Sequence, residues 1–116
     1  MRRGDVVWAD LGRPVGREAS RRRPVIIVSN DALNRVAAGL GRGVVTVVPI
    51  TTNVERVYPF QVFLAADETG LPADGKAQAE QVRAVDAERL RPGPIGALPA
   101  ERLRQLDAAL RLHLAL

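Results

Sequence analysis

The constraint that most narrows the fold is a series of short β-branched runs. Each is closed by glycine, proline or polar residues, and one leucine-periodic segment follows the last. Val6–Leu11, Pro24–Ser29, Val44–Ile50 and Phe60–Leu64 read as four strands. Pro24–Ser29 is almost entirely β-branched and reads as buried on both faces, with Pro24 at its first position, where no ladder donor is needed. Lys76–Arg83 alternates long polar with small residues. As a strand it puts Lys76, Gln78 and Glu80 on one face and Ala77 and Ala79 on the other, although its residue types also suit a helix.

Asn30 can cap a short helix over Asn30–Val36, which Gly39–Gly43 break. Gly70–Gly75 is a turn cluster, and Asp86–Leu90 a single helical turn stopped by Pro92-Gly93-Pro94. Ile95–Leu98 reads as a short closing strand. From Pro99 onward Leu103, Leu106, Leu110 and Leu114 recur at helical spacing. Several short strands followed by one helix predict a mainly β, α+β domain over residues 1–116: a small curled sheet or barrel capped by a C-terminal helix.

Residue counts remove several chemistries. There is no cysteine, hence no disulfide, thiolate metal site or cysteine nucleophile. His113 is the only histidine, which excludes a paired-histidine nuclease. The carboxylates Asp5, Asp10, Glu18 and Asp31 are scattered among arginines, so no metal site or cofactor is expected. No phosphate-binding loop of the G-x-x-x-x-G-K-[ST] type occurs. No apolar run approaches the ~20 residues of a membrane span, and the expectation is a soluble, cytoplasmic protein.

The net charge of +4 points to an anionic partner, and its distribution is more telling. Arg13, Arg17, Arg21, Arg22 and Arg23 crowd one stretch around a single acid, Glu18, and Lys76 is the only lysine among 17 basic residues. Arginine supplies a planar donor fork suited to phosphates. Two polar loops adjoin buried strands, residues 16–24 before the second and residues 49–53 after the third. Neighbouring strands could bring Arg23 and Thr51 to one edge, where a guanidinium and a hydroxyl would grip a phosphodiester. Spacing alone favours the plainer readings, Arg23 as a solvated charge and Thr51-Thr52 as a turn. Trp8, the sole tryptophan, reads as core or dimer packing.

At these residues the chain resembles the MazF (PemK/Kid) family of toxin endoribonucleases. Arg3–Leu11 is similar to the family's opening strand. Gly16-Arg17-Glu18 with Arg23–Asp31 is similar to its G-S-E…R-P-V signature, and Pro49-Ile50-Thr51-Thr52 to its threonine turn. Tyr58-Pro59-Phe60 is shared with some members, and Asp74–Arg83 resembles its D-[SG]-x…[ED]-Q-[VI]-[RK] segment. Two departures stand out: Arg17 replaces the serine of G-S-E, and Gly75 stands where many members carry serine.

The resemblance implies an SH3-like barrel that forms a homodimer. It implies metal-independent cleavage of single-stranded RNA at a short sequence, by 2′-OH attack on the adjacent phosphorus, and an acidic antitoxin tail as partner. By position it assigns Arg23 and Thr51 to the cut and Glu18 to the loop acid that could act as general base. Arg17, Arg22, Thr52, Asn53, Arg56, Lys76, Gln78, Glu80, Gln81 and Arg83 become candidate RNA contacts. The alternatives are a gyrase poison of the CcdB type on the same barrel and a non-catalytic RNA-binding barrel.

Overall fold

The computed structural model describes residues 1–116, the side chain of Arg91 excepted. Seven strands run β1 Asp5–Asp10, β2 Arg22–Ile27, β3 Val44–Thr51, β4 Gln61–Leu64, β5 Gly75–Gln78, β6 Arg83–Asp86 and β7 Leu90–Ala97. Three helices join them: α1 Asp31–Leu40, α2 Ala66–Thr69 and α3 Ala100–Leu114. All pairings are antiparallel, in the order β4-β5-β3-β2-β1-β7, with β6 also paired to β3. The fold is therefore the expected α+β arrangement, a seven-stranded antiparallel sheet with a C-terminal helix.

The central strands are buried on both faces, as the unbroken β-branched run of β2 predicts. Alternate residues feed two cores. Val6, Ile26, Val48 and Ile50 point into one, which α3 covers with Leu106 and Ala109. Val7, Val25, Ile27, Val45 and Val47 point into the other, which α1 meets with Ala37. Leu106 is fully buried. Leu103 and Leu110 pack beside it, while Leu114, from the same periodic set, is exposed.

Four local expectations need correction. Lys76–Arg83 is not one strand: β5 stops at Gln78, a 3₁₀ turn spans Ala79–Gln81, and β6 starts at Arg83. The break lets the chain run twice along one edge of β3, pairing at Ile50–Thr51 and again at Val44–Val47. β7 continues through Pro92-Gly93-Pro94, because it ends the sheet order and its register with β1 shifts twice, the setting in which proline costs no rung. Pro24 is the third residue of β2, yet the ladder to β3 begins only at Val25. α1 runs through Gly39 to Leu40, where Gly41 caps it in the left-handed conformation, with Asn30 accepting from the Leu33 N–H at its start.

Arg3 ties the opening of the chain to α1, to α3 and to the residue that follows β2. Its backbone N–H donates to Asp31 (2.7 Å), its Nε to the Val28 carbonyl (2.8 Å) and its Nη2 to Asp107 (2.7 Å). α2, too short for any periodicity to reveal, closes on Gly70. A β-carbon there would stand 2.5 Å from the Ile95 carbonyl oxygen, so α2 and β7 meet backbone to backbone.

Glu68 anchors α2 to α3. Arg102 Nε donates to both of its carboxylate oxygens at 3.1 and 3.0 Å, and the Ala65 N–H donates to Oε1 at 2.9 Å. Arg102 first, then the Ala65 amide, hold this carboxyl below the ordinary glutamate range against an opposing desolvation. A depressed folded pKa contributes stability that is complete above the unfolded value, about 4.3, and is lost as pH falls toward the folded one. In Arg102→Gln the loss of stability below about pH 4.3 is expected to shrink relative to wild type, read from urea midpoints at stepped pH. An unchanged pH profile would remove this pair from the acid response.

Candidate functional site

The pairing of β2 with β3 builds the site. Their register runs Ile27↔Val47, Ile26↔Val48 and Val25↔Pro49. Continued past the last rung, it sets Arg23 opposite Thr51, and opposed residues on antiparallel strands share a face. Both line a cleft of about 270 Å³, together with Arg22, Thr52 and Trp8. The turn from Leu71 to Gly75 supplies its opposite wall.

Arg23 and Thr51 are left with donors to spare. Arg23 is half-buried, and its Nε donates to the Ser20 carbonyl at 2.9 Å. That bond orients the guanidinium while its two terminal nitrogens have no protein partner among the described residues. Thr51 Oγ1 accepts a long bond from the Asn53 N–H, 3.4 Å, which leaves its own hydrogen free to donate. Arg22 lies over the Trp8 ring, 5.5 Å from its centroid. Such an arrangement can hold a tetrahedral oxyanion between one fixed guanidinium and one hydroxyl.

Of the residues singled out from sequence, the cleft gathers Arg22, Arg23, Thr51 and Thr52. Glu18 is exposed on the loop before β2 and does not line it. The Lys76–Arg83 segment instead buttresses the flanking loops. Lys76 is only 7% exposed and donates to the Arg56 carbonyl at 2.5 Å. Gln81 donates to the Arg17 carbonyl (2.9 Å) and accepts from the Ala19 N–H (3.1 Å), clasping the arginine-rich loop. Arg83 donates to the Leu11 carbonyl at 3.3 Å. Glu80 accepts from Gln61 at 2.6 Å. The Oε1 atoms of Gln78 and Glu80 are buried without a partner among the described residues, a burden of about 1–3 kcal/mol for such a group.

Arg17 and Asn53 are exposed, and Arg56 stacks over Tyr58, which in turn stacks on Phe60. Sequence reasoning missed the wall made by Leu71, Pro72 and Asp74. Leu71 and Pro72 carry only a turn signal, the motif that begins at Asp74 gave that residue no site role, and nothing local reports which strand a turn will face. Gly75 is the tight point of that wall. A β-carbon on it would lie 2.8 Å from the Thr51 carbonyl oxygen and 2.9 Å from Ile50 Cγ2.

Comparison with known proteins agrees over the full length. A family profile described as "PemK-like, MazF-like toxin of type II toxin-antitoxin system" matches residues 2–114. The chain is 55% identical over 116 residues to endoribonuclease MazF9 of Mycobacterium tuberculosis, covering 100% of this chain and 98% of that one. It is 34% identical over 117 residues to endoribonuclease EndoA of Bacillus subtilis, covering 100% and 96%. Among solved structures, MazF from Deinococcus radiodurans superposes with a TM-score of 0.82 at 27% identity, covering 100% and 97%. An endoribonuclease in complex with its cognate antitoxin, from a mycobacterial species, superposes with a TM-score of 0.77 at 27% identity, covering 100% and 96%.

Because Gly75 abuts the backbone that carries Thr51, Gly75→Ala is expected to push β5 away from β3. The expected cost is about 1–3 kcal/mol of unfolding free energy, with amide chemical-shift changes centred on Thr51 and Thr52. Ala73→Gly, at an exposed place on the same turn, is the control. Equal effects from the two substitutions would mean that the close approach at Gly75 does not set the cleft.

Proposed function

This chain belongs to the PemK-like, MazF-like toxin family of type II toxin–antitoxin systems, and we propose that it is an endoribonuclease that cuts single-stranded RNA at the Arg23–Thr51 cleft. The observation that carries this reading is the facing of Arg23 and Thr51 at one end of the β2–β3 pair, each with unspent donors. The endoribonuclease names of its relatives support it.

In the proposed reaction the ribose 2′-OH attacks the adjacent phosphorus and the 5′-oxygen leaves. The products are a 2′,3′-cyclic phosphate and a 5′-OH. The nucleophile is internal to the substrate, so the step depends on RNA and needs no metal-bound water. Negative charge builds on the non-bridging oxygens, where the terminal nitrogens of Arg23 and the Thr51 hydroxyl donate. Arginine stays protonated and cannot take the 2′-proton. Glu18 is assigned that role by resemblance. It stands outside the cleft on a loop that Gln81 clasps at Arg17 and Ala19, so the assignment requires that clasp to open as the strand binds. Arg17, Arg22, Thr52, Asn53 and Arg56 contact the flanking nucleotides in this reading. Lys76, Gln81 and Arg83 act mainly by holding the loops that do so, and Gln78 and Glu80 stay as candidate contacts on the same segment.

The partners assigned are a second copy of the chain and an antitoxin with an acidic tail. The antitoxin complex solved for a relative supports the latter, and so does the arginine-rich loop. We take residues 1–116 as one domain acting in the cytoplasm. No helix among the described residues is long and apolar enough to cross a membrane.

Incubating the protein with long single-stranded RNA in EDTA is expected to give discrete cuts ending in 2′,3′-cyclic phosphate, read by mass spectrometry. Arg23→Ala or Thr51→Ala is expected to slow cutting about 10²–10³-fold. Cutting by Arg23→Ala at the wild-type rate would overturn the site. Binding without cuts by the wild type would favour the non-catalytic RNA-binding barrel.

A further inference from the structure

The cleft contains one acid, and its surroundings give that acid a task. Asp74 lines the same cavity as Arg22 and Arg23, yet it pairs with no cation among the described residues. Its Oδ1 accepts from the Ala66 N–H at 2.9 Å, which fixes the carboxylate against the start of α2. Its Oδ2 has no partner among the described residues. A helix anchor needs only the first of these oxygens.

The two ends of the cleft therefore differ in what they can accept. A phosphate is drawn to the Arg23–Thr51 end and repelled from Asp74. Trp8, Pro24, Leu71 and Pro72 line the same cleft, surfaces that suit the flat face of a base. A strand whose phosphate sits on Arg23 must then turn a base edge, not a second phosphate, toward Asp74.

We propose that Asp74 is a specificity-determining residue that reads one nucleobase beside the scissile phosphate, admitting bases with an exocyclic amine and rejecting uracil. This rests on the endoribonuclease reading above. A carboxylate is acceptor-only, and one oxygen free means one donor taken. Cytosine N4, adenine N6 and guanine N2 each offer an amine to such an oxygen, the pairing that carboxylates make with cytosine in other nucleic-acid complexes. Uracil offers a lone N3–H between two carbonyl oxygens, both of which the carboxylate repels. The charge does two jobs at once: it keeps phosphate at the arginine end and selects the base at its own.

Asp74→Asn is the informative variant. Its amide oxygen can still accept from Ala66, so α2 keeps its anchor, and its amide nitrogen turns a donor toward the base. The test cuts an RNA pool randomised around the cleavage site and reads the cut positions by sequencing. The wild type is expected to exclude uracil at one position beside the cut. Asp74→Asn is expected to lose that exclusion by at least about fivefold. In a wild-type substrate, replacing the amino base at that position by its deaminated analogue is expected to slow cutting, and to have no such effect on Asp74→Asn.

An unchanged cleavage motif in Asp74→Asn overturns the proposal, whether the overall rate is unchanged or uniformly altered. The latter result would make Asp74 a charge that tunes affinity and nothing more. A wild-type protein that cuts no RNA in the pool overturns the endoribonuclease reading, and this proposal falls with it.

Discussion

The structure depends on β3. Its eight residues hold β2 along one edge, and β6 and then β5 along the other. β1 is placed through β2, and β4 through β5. No other strand touches so many partners. Val45, Val47, Val48 and Ile50 divide between the two cores, so β3 is also where those cores are tied together. A strand buried on both faces and paired on both edges has little freedom to slip, since a one-residue slip would exchange its whole hydrophobic set between cores. That rigidity is what its last residue, Thr51, inherits.

Rigid strands and clasped loops split the work around the cleft. Lys76, Gln81 and Arg83 have the side chains expected of nucleic-acid contacts, and each is occupied with a backbone carbonyl of a neighbouring loop. A buried ammonium cannot also reach a phosphate. Its bond to the Arg56 carbonyl replaces the hydration lost on burial and fixes the β3–β4 loop in doing so. Polar residues at a sheet edge are ambiguous in this way: whether they meet ligand or loop is decided by the neighbours that tertiary folding brings.

The same distinction separates what could be read in the sequence from what could not. β2 and β3 declare themselves, because burial on both faces demands an uninterrupted β-branched run and little else tolerates one. α3 does so through its leucines. The segment from Lys76 to Arg83 does not, because its break answers to the two partners of β3 and not to its own residues. The passage of β7 through Pro92 and Pro94 is hidden for a related reason, since an edge strand with a shifting register escapes the rule that proline ends a strand. Arg23 and Thr51 were no more than a charge and a turn until resemblance singled them out. The register then supplied a physical reason for their meeting. The far wall at Leu71–Gly75 had no signal of its place, for a cavity is a property of two segments and neither carries it alone.

How the site divides its chemistry follows from where each part is mounted. Charge stabilisation requires groups held to within fractions of an ångström before the reaction begins, and the groups proposed for it stand on two paired strands, with Ser20 fixing the angle of the guanidinium. In the same proposal, proton transfer and sequence reading fall to groups outside that strand pair. Glu18 stands on an exposed loop, and Asp74 on a turn. Of the residues that depart from the family pattern, Arg17 lies in the exposed loop, while Gly75 abuts the backbone of Thr51 itself. Change at Arg17 can alter which RNA is taken, or how fast, while the strand pair proposed to grip the phosphate keeps its geometry. A fold arranged this way can diverge in preference without rebuilding the part that is hardest to build.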